Sequence, residues 1–356
     1  MISSSYEITP YRSEWAPQVA ELMVHLWGAD IEVNRTYLRW KHEGNPYAQQ
    51  PLAIVALHEG RVVGFRGYSP LSFRVPGGAE IVVLCPGDTC VHPDHRLAGL
   101  SVKMGQAAMR AYADRYPLFM NWSCTKPSLP GYLKVGFQAL AEKVYLTHAG
   151  PLGTLRYVLA SRGAHPLAQS RIGFGRSGDV EVAVEPRLVE MAALTATEEA
   201  AAGTLMLRRD ETFFAWRFAN PRGKYVFYYL LRDARLTGYV VIGLSPNNRR
   251  GFLLDFAEGE WDALEKIMRF ILRARHFDVV SVYTFCLTAR QRRTLEKLGF
   301  GVTGLIPFLE TQQKGRLPLF IRPVKETYSV EDFVVGGVDT RTIAAWSLKP
   351  IGSDAV

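Results

Sequence analysis

The sequence reads Val91-His92-Pro93-Asp94-His95-Arg96-Leu97-Ala98-Gly99-Leu100-Ser101 between a predicted strand and a predicted helix, and this stretch decides the fold. Backbone N–H groups at a helix start have no partner inside the helix, and the helix dipole adds to their attraction for an anion. Gly99 and the small Ser101 allow a ligand to approach the backbone closely. The stretch therefore suits a phosphate or pyrophosphate, although a plain strand-to-helix turn with Gly for packing fits it equally well.

Regular elements are predicted on both sides of this stretch. Apolar residues at helical spacing predict a helix from Leu100 to Arg115, which Tyr116-Pro117 ends. Upstream, strands are predicted over Pro51 to Leu57, over Arg61 to Phe73 and from Glu80 onward. Downstream, the pattern predicts a strand over Leu118 to Cys124, a short helix over Ser128 to Val135 and a closing strand over Phe137 to Leu146.

These motifs resemble a known family. Val91-x-Pro93-x-x-Arg96-x-x-Gly99-x-Ser101 is similar to the acetyl-coenzyme A loop of the GCN5-related N-acetyltransferases (GNAT), whose pattern is Gln/Arg-x-x-Gly-x-Gly/Ala. The stretch Tyr132-Leu133-Lys134-Val135-Gly136-Phe137 resembles the family's Tyr-Glu-Lys-Leu-Gly-Phe segment. The resemblance covers about Ile8 to Leu146. It departs from the family at Leu97, where Gly is common, and at Ser101, where Gly or Ala stands.

The resemblance implies acetyl-coenzyme A as cosubstrate and no metal. It implies that Val91 presents backbone N–H groups to the thioester oxygen and that Tyr132 protonates the departing sulfur. A core aromatic residue at a helix-to-strand junction is the alternative interpretation of Tyr132. The residues expected to hold the coenzyme pyrophosphate are Arg96, Leu97, Ala98, Gly99, Leu100 and Ser101.

The general base is a separate hypothesis. Asp88 lies three residues before the end of its strand and would take the amine proton directly or through water, unless it only caps the Pro86-Gly87 turn. Glu80 and Glu59 are rival carboxylates. Cys90 invites an acyl-enzyme mechanism, but no His-plus-carboxylate arrangement in the sequence would activate it, so a packed thiol is expected.

Two segments of the chain repeat. Thr36 to Lys41 aligns with Thr212 to Arg217, and Asn-Pro follows each. LHEGRVVGF from Leu57 resembles LRDARLTGY from Leu231. We therefore predict an α/β (α+β) chain of two tandem GNAT-like domains, each a mixed, mostly antiparallel twisted sheet flanked by helices. The predicted divisions are an N-terminal domain over residues 1–149, a connecting segment over 150–203, and a degenerate second copy with a tail over 204–356.

The second copy is expected to bind no coenzyme. Its corresponding turn is Ala257-Glu258-Gly259-Glu260-Trp261, where two carboxylates would meet a phosphate. Leu295 falls where Tyr132 lies in the first copy. The second copy would then shape the acceptor cleft, supply buried surface, or both.

Composition limits the class of protein. The chain has 356 residues, of which 48% are hydrophobic and 21% charged, which is typical of globular proteins and excludes disorder throughout. Its apolar runs fall short of the roughly 20 residues of a membrane span, and no secretory signal is recognisable, so a cytoplasmic protein is expected. The net charge is 42 − 34 = +8, but the basic residues are spread out and nucleic acid is not expected as a partner. The four cysteines form no CxxC pair and predict reduced, buried thiols.

The sequence thus predicts an acetyl-coenzyme A (acyl-coenzyme A) dependent N-acyltransferase. The acetyl group would move to a primary amine of a small-molecule or amino-sugar-type acceptor by direct attack in a ternary complex. One alternative is a transferase of the peptidoglycan-bridge type, which uses aminoacyl-tRNA; another is a non-catalytic acyl-coenzyme A binding scaffold. The acceptor, the acyl chain length and the oligomeric state stay open.

Overall fold

A computed structural model describes residues 6–150, 153–155, 157, 172–198, 203–245, 249–302 and 317–353. Two large sheets, both mixed and mostly antiparallel, carry helices on their faces. The predicted α/β class and sheet type are thereby confirmed. In the described part of the chain, no helix is both long and apolar enough to cross a membrane.

The first sheet contains the predicted coenzyme loop. In spatial order its main strands are β1 (Glu7–Pro10), β2 (Ala53–His58), β3 (Arg61–Arg74), β4 (Glu80–Val91), β5 (Leu118–Asn121), β16 (Pro318–Pro323) and β6 (Gln138–Glu142). Two short strands, β10 (Leu205–Leu207) and β19 (Trp346–Ser347), extend it beside β3. Its helices are α1 (Ala16–Leu22), α2 (Ile31–Leu38), α3 (Leu100–Tyr112) and α4 (Leu129–Lys134).

Strand alternation explains how these helices cover both faces. Successive side chains of a strand point to opposite faces. Ala53 and Val55 of β2 pack in the cluster that contains α1 and α2, whereas Ile54 and Ala56 pack in the cluster that contains α3. A strand buried on both faces therefore reads as a continuous apolar run, as Leu52 to Leu57 does.

The second sheet is built mainly from the C-terminal half. In spatial order its strands are β15 (Gly301–Val302), β7 (Tyr145–Ala149), β14 (Val279–Tyr283), β13 (Arg250–Glu258), β12 (Arg235–Leu244), β11 (Tyr225–Arg232), β9 (Val180–Ala183) and β8 (Gly175–Ser177). Its helices are α5 (Leu188–Ala196), α6 (Glu211–Phe218), α7 (Ala263–Ala274) and α8 (Ala289–Lys297). A separate two-stranded sheet pairs β17 (Val334–Val335) with β18 (Val338–Asp339).

The two halves exchange a strand. β7 follows β6 in the chain but pairs antiparallel with β14 of the second sheet, from Tyr145↔Tyr283 to Ala149↔Val279. In return, β16 from the C-terminal half lies between β5 and β6 of the first sheet. The predicted closing strand from Phe137 to Leu146 is therefore two strands that belong to different sheets.

This exchange also differs from the predicted domain limits at residues 149 and 203. The limits assign β7 to the N-terminal domain, and they assign β8, β9 and α5 to the connecting segment, but these strands belong to the second sheet. Residues 158–171 of the predicted connection and residues 354–356 of the tail lie outside the described residues. A division into contiguous segments does not coincide with the sheets.

The repeated tryptophans meet between the halves. The rings of Trp40 and Trp216 stack with centroids 5.0 Å apart and an interplanar angle of 10°. Trp40 Nε1 donates to the carbonyl of Trp216 at 2.6 Å, and Trp216 Nε1 donates to the carbonyl of Trp40 at 3.0 Å. Each repeated segment is thus bonded to its counterpart, which fixes the two halves around a shared cleft.

Candidate active site

The sheet opens where the site lies. The parallel strands β4 and β5 pair only at Leu84↔Phe119 and separate beyond it. A bulge interrupts the β3–β4 ladder at the same level, because Phe65 pairs with Cys90 and Gly67 with Gly87. Asp88 and Thr89 consequently oppose the single residue Arg66, and Asp88 has a positive φ of 49°. The bulge turns side chains of neighbouring positions toward the opening.

The predicted coenzyme loop ends at the start of α3. Gly99 caps the helix with a φ of 71°, and Leu97 has a φ of 66° with a fully exposed side chain. Because the backbone at Leu97 is left-handed, a glycine would be favoured there, and this agrees with the glycine that is common in the family at this position. The buried Leu100 side chain anchors the first turn of the helix in the core.

Backbone donors of this loop are free. The N–H groups of residues 97–101 donate to no acceptor in the described part of the chain, whereas those of Val102 and Lys103 donate to the Gly99 carbonyl. Five consecutive donors thus accompany the positive end of a 13-residue helix. The exposed Arg96 bends back so that its Nε lies 3.4 Å from the Val91 carbonyl oxygen. The predicted loop residues therefore lie together in an arrangement that fits a pyrophosphate.

A narrow cavity continues from this loop between α3 and α4. Its lining includes Ser101, Gly105, Thr89, Arg66 and Tyr132. Tyr132 is 7% exposed and packs edge-to-face on Phe137 at 4.9 Å. The ring therefore has the packing of a core aromatic residue, while it also borders the cavity.

Arg66 is a functional candidate that the sequence analysis missed. Its side chain is 6% exposed and lies over the Tyr132 ring at 5.1 Å and the Tyr68 ring at 5.8 Å. Its Nη1 is 3.4 Å from the Ser101 carbonyl oxygen, and its Nε has no described hydrogen-bond partner. Burial alone would lower the pKa of Arg66, but the neighbouring tyrosines raise it, so the guanidinium stays charged. The signal in the sequence was a lone charge within the buried strand VVGFRGYSPLSF.

Asp88 lies on the other face of the sheet, in a network of hydrogen bonds. Trp27 Nε1 donates to Oδ1 at 2.9 Å, and His42 Nε2 lies 3.1 Å from Oδ2. Lys41 forms an ion pair with Oδ2. Burial pushes the pKa of Asp88 upward, but Lys41 and His42 outweigh it and hold the pKa well below its usual range. The carboxylate is therefore permanently charged and a weak proton acceptor.

The other candidates for the general base or the nucleophile lie away from the opening of the sheet or are unreactive. Glu80 pairs with Arg208 at the start of β4, and Glu59 occupies the exposed β2–β3 turn. Cys90 is buried, its Sγ lies 3.6 Å from the Leu22 carbonyl oxygen, and burial raises the pKa of its thiol to about 11. All four cysteines are buried, as predicted, and none of them forms a disulfide with a described residue.

A larger cleft of about 730 Å³ separates the two halves. Asp88 and Lys41 line one side, and Arg222 and Lys224 belong to the opposite side. Three residues, Thr89, Ser128 and Tyr132, line both this cleft and the narrow cavity. Tyr132 therefore stands at the junction of two spaces, one reached from the predicted coenzyme loop and one from between the halves.

Solved structures share this fold. The GCN5-related N-acetyltransferase from Anabaena variabilis ATCC 29413 is 13% identical, with a TM-score of 0.61 over 93% of this chain and 74% of that one. A protein of unknown function from Enterococcus faecalis V583, described as a probable N-acyltransferase, is 11% identical, with a TM-score of 0.57 over 92% and 75%. Eis1 from Mycobacterium abscessus is 15% identical, with a TM-score of 0.51 over 90% and 74%. At such identities these likenesses concern the fold alone.

A family model of the acetyltransferase (GNAT) domain matches residues 8–140, the part that holds the loop, the cavity and Tyr132. The chain carries a GNAT acetyltransferase domain. The resemblance stated over about Ile8 to Leu146 is confirmed over residues 8–140, and this domain supports the predicted N-acetyltransferase, since GNAT domains transfer acyl groups from acyl-coenzyme A. A comparison with curated proteins gave no match.

Proposed function

We propose that this GNAT enzyme transfers an acetyl group from acetyl-coenzyme A to a primary amine of a small molecule, by direct attack in a ternary complex. The observation that carries the proposal is the position of Tyr132, which lines both the cavity behind the coenzyme loop and the cleft between the halves. A donor and an acceptor that enter from these two sides would meet beside its ring. Direct transfer requires such a meeting point.

The coenzyme would bind along the first of these spaces. The free N–H groups of Leu97, Ala98, Gly99, Leu100 and Ser101 would hold the pyrophosphate, with Arg96 adding charge. The thioester would lie where β4 and β5 separate, so that backbone donors near Val91 reach its carbonyl oxygen. Tyr132 would protonate the departing sulfur.

We propose an indirect role for Asp88. Its two oxygens already accept from Trp27, His42 and Lys41, and its low pKa makes it a poor base near neutral pH. One remaining lone pair on the cleft side would orient the attacking amine, and water would carry the proton away. Asp88 thus positions the nucleophile in this proposal.

The two halves are proposed to be copies of one fold, the second of which has lost its coenzyme site. Gly64 pairs with Val91 at the end of β4, and Gly238 pairs with Glu258 at the end of β13. Asp88 lies three residues before Val91, and Asp255 lies three residues before Glu258, so the two aspartates occupy corresponding positions. The second copy then serves as the far wall of the acceptor cleft.

This wall favours an acceptor that carries a negative charge in addition to its amine. Arg217, Arg222 and Lys224 line it, and no described carboxylate pairs with any of the three. The carboxylate among the cleft residues, Asp88, is already bound to Lys41. A polycationic acceptor would be repelled, whereas a carboxylate or phosphate group on the amine would be attracted.

A cytoplasmic location is part of the proposal. Four cysteines without a described disulfide fit a reducing compartment, because disulfides form where conditions are oxidising.

The test is an acetylation assay. Purified protein is incubated with acetyl-coenzyme A and single amines of three classes, which are amino acids, amino-sugar phosphates and polyamines, and coenzyme release is followed together with the mass of the product. A gain of 42 Da on an amine supports the proposal. Coenzyme binding without turnover for every class would favour a scaffold, and no binding would favour a transferase that uses aminoacyl-tRNA.

A further inference from the structure

Arg66 is buried, and no residue in the described part of the chain forms an ion pair with it. Removing a guanidinium from water costs several kcal/mol, and Arg66 has two tyrosine rings and the oxygens of Ser101 beside it in place of a carboxylate. No described carboxylate reaches Arg66, and its Nε has no partner. A buried cation of this kind indicates that a negative charge appears beside it at some stage of the protein's work.

The neighbours of Arg66 identify where that charge would appear. Its guanidinium lies over the Tyr132 ring and beside Ser101 in the first turn of α3, and it lines the narrow cavity. The guanidinium also lies against Gly105 of α3, where a Cβ would be in ordinary van der Waals contact with the Arg66 Cζ at 3.7 Å. Arg66 is thus fixed between the coenzyme cavity and the proposed proton donor.

The second half provides an internal comparison. Arg66 lies two residues after Gly64, and Val240 lies two residues after Gly238, the glycine with the same pairing in the second sheet. Val240 and Leu295, the residue at the position of Tyr132, are both fully buried in one apolar cluster. Where the tyrosine is absent, the arginine is absent too. Both corresponding positions of the second half are thus apolar.

We propose that Arg66 stabilises the negative charge left on Tyr132 when the thioester breaks. This inference rests on the proposed function. The amine nitrogen forms a C–N bond with the acetyl carbon, the C–S bond breaks, and its electron pair stays on sulfur. The Tyr132 proton moves to that sulfur and leaves a phenolate beside Arg66, and the proton lost by the acylated nitrogen returns to the phenolate through water. Arg66 acts through Tyr132 and is a positioning residue.

The test is a double-mutant cycle with Arg66→Met, Tyr132→Phe and the double variant, measured with any amine that the wild type acetylates. We expect Arg66→Met to lower kcat by about 100-fold, the size of one lost electrostatic contact in a transition state. The affinity for acetyl-coenzyme A, measured by calorimetry, should stay within about threefold. The double variant should be no slower than Tyr132→Phe alone, because residues that act as one unit are not additive.

Two further variants separate charge from packing. Arg66→Lys keeps the charge and should recover part of the lost kcat. Arg322→Met is the matched control, since Arg322 is also buried with an unpartnered Nε but does not line the cavity or the cleft. It should leave kcat unchanged. If Arg66→Met fails to fold, Arg66→Lys enters the same cycle in its place, and its loss should likewise vanish in the Tyr132→Phe background.

The outcomes separate the two proposals. Full additivity of Arg66→Met and Tyr132→Phe would overturn the role of Arg66, as would an unchanged kcat with weaker coenzyme binding. An equal loss in Arg322→Met would also overturn it, since the effect would then be general to buried arginines. A wild type that turns over no amine would instead overturn the proposed function itself.

Discussion

The start of α3 and the start of α7 follow strands that we propose to be equivalent, but the two helix starts differ in their chemistry. Before α3, the N–H groups of residues 97–101 have no described acceptor. Before α7, the nearly buried Glu258 carboxylate accepts from Arg290 and Gln291, and Glu260 binds Lys266. The strand-to-helix connection thus has free backbone donors for the proposed pyrophosphate site in one half, and carries ion-paired carboxylates of the chain itself in the other. Fold and ligand site are therefore separable here.

Both halves contain a carboxylate that is bound to basic side chains at the corresponding position. Asp88 is bound to Lys41 and His42, and Asp255 is bound to Arg209 at 2.6 Å. A carboxylate kept in the half that lacks a coenzyme loop has a role in the architecture of that half. This equivalence supports the assignment of Asp88 as a positioning group.

The largest effect is expected from removing these shared carboxylates. Asp88→Asn should lower the free energy of unfolding by about 3–5 kcal/mol, because it breaks the buried ion pair with Lys41. Asp255→Asn should lower it less, because Arg209 keeps its ion pair with Glu198. Denaturant unfolding of both variants at one pH measures this. If the Asp88→Asn protein is as stable as the wild type but inactive, this prediction is wrong and Asp88 is instead supported as the general base.

The pH dependence sharpens this prediction. The pKa of Asp88 is depressed, so its contribution to stability is present above its usual pKa of 3.8 and is lost as the pH falls through the lower, folded-state value. The stability difference between wild type and Asp88→Asn should therefore shrink as the pH falls below 3.8. A difference that stays the same on acidification below this pH would contradict the depressed pKa.

The next effect is on turnover. Tyr132→Phe should lower kcat by at least about 100-fold, the range for loss of a general acid, with coenzyme affinity near that of the wild type. Tyr145→Phe, in the strand exchanged into the second sheet, is the control and should retain activity. Unaffected turnover in Tyr132→Phe would leave this residue as a core aromatic only.

A smaller effect is expected for coenzyme binding. Arg96→Glu should weaken binding of acetyl-coenzyme A by about 10- to 100-fold, as expected for loss of a charge-assisted contact to phosphate. Folding should be little affected because the side chain is exposed. Lys266→Glu, in the first turn of α7, is the matched control. Equal affinity for acetyl-coenzyme A in Arg96→Glu and the wild type would contradict the assignment of residues 96–101 as the coenzyme loop.

The smallest effect concerns the acceptor. Replacing both Arg222 and Lys224 by Ala should raise KM for an anionic amine by about tenfold, since each exposed charge contributes up to about 1 kcal/mol. KM for acetyl-coenzyme A should not change. The exposed Arg235→Ala, outside the cleft, serves as control. A lower KM for a polyamine than for an amino acid in the wild type would contradict the predicted acceptor charge.

Local pattern predicted much of the fold and the coenzyme loop. The helix from Leu100, the strand from Leu118 and the short helix near Tyr132 follow from periodicity and turn residues. The exchange of β7 and β16 could not be predicted in this way. A strand's pattern shows which faces it buries but does not name its neighbour in the sheet.

The site was predictable only in part for a similar reason. The loop residues are contiguous, so their common function is visible in the sequence. Arg66, Lys41 and Tyr132 come from three separate elements, and only the fold brings them to the same opening. The β-bulge at Asp88 and Thr89, opposite Arg66, depends on pairing with β3 rather than on local sequence.

The central claim is that one half of the molecule binds coenzyme and the other does not. Calorimetric titration of the full chain with acetyl-coenzyme A tests this most directly, with Arg96→Glu and Lys266→Glu titrated alongside. The account predicts one site per chain, weakened by Arg96→Glu and unchanged by Lys266→Glu. Two sites per chain, or one site weakened only by Lys266→Glu, would contradict it.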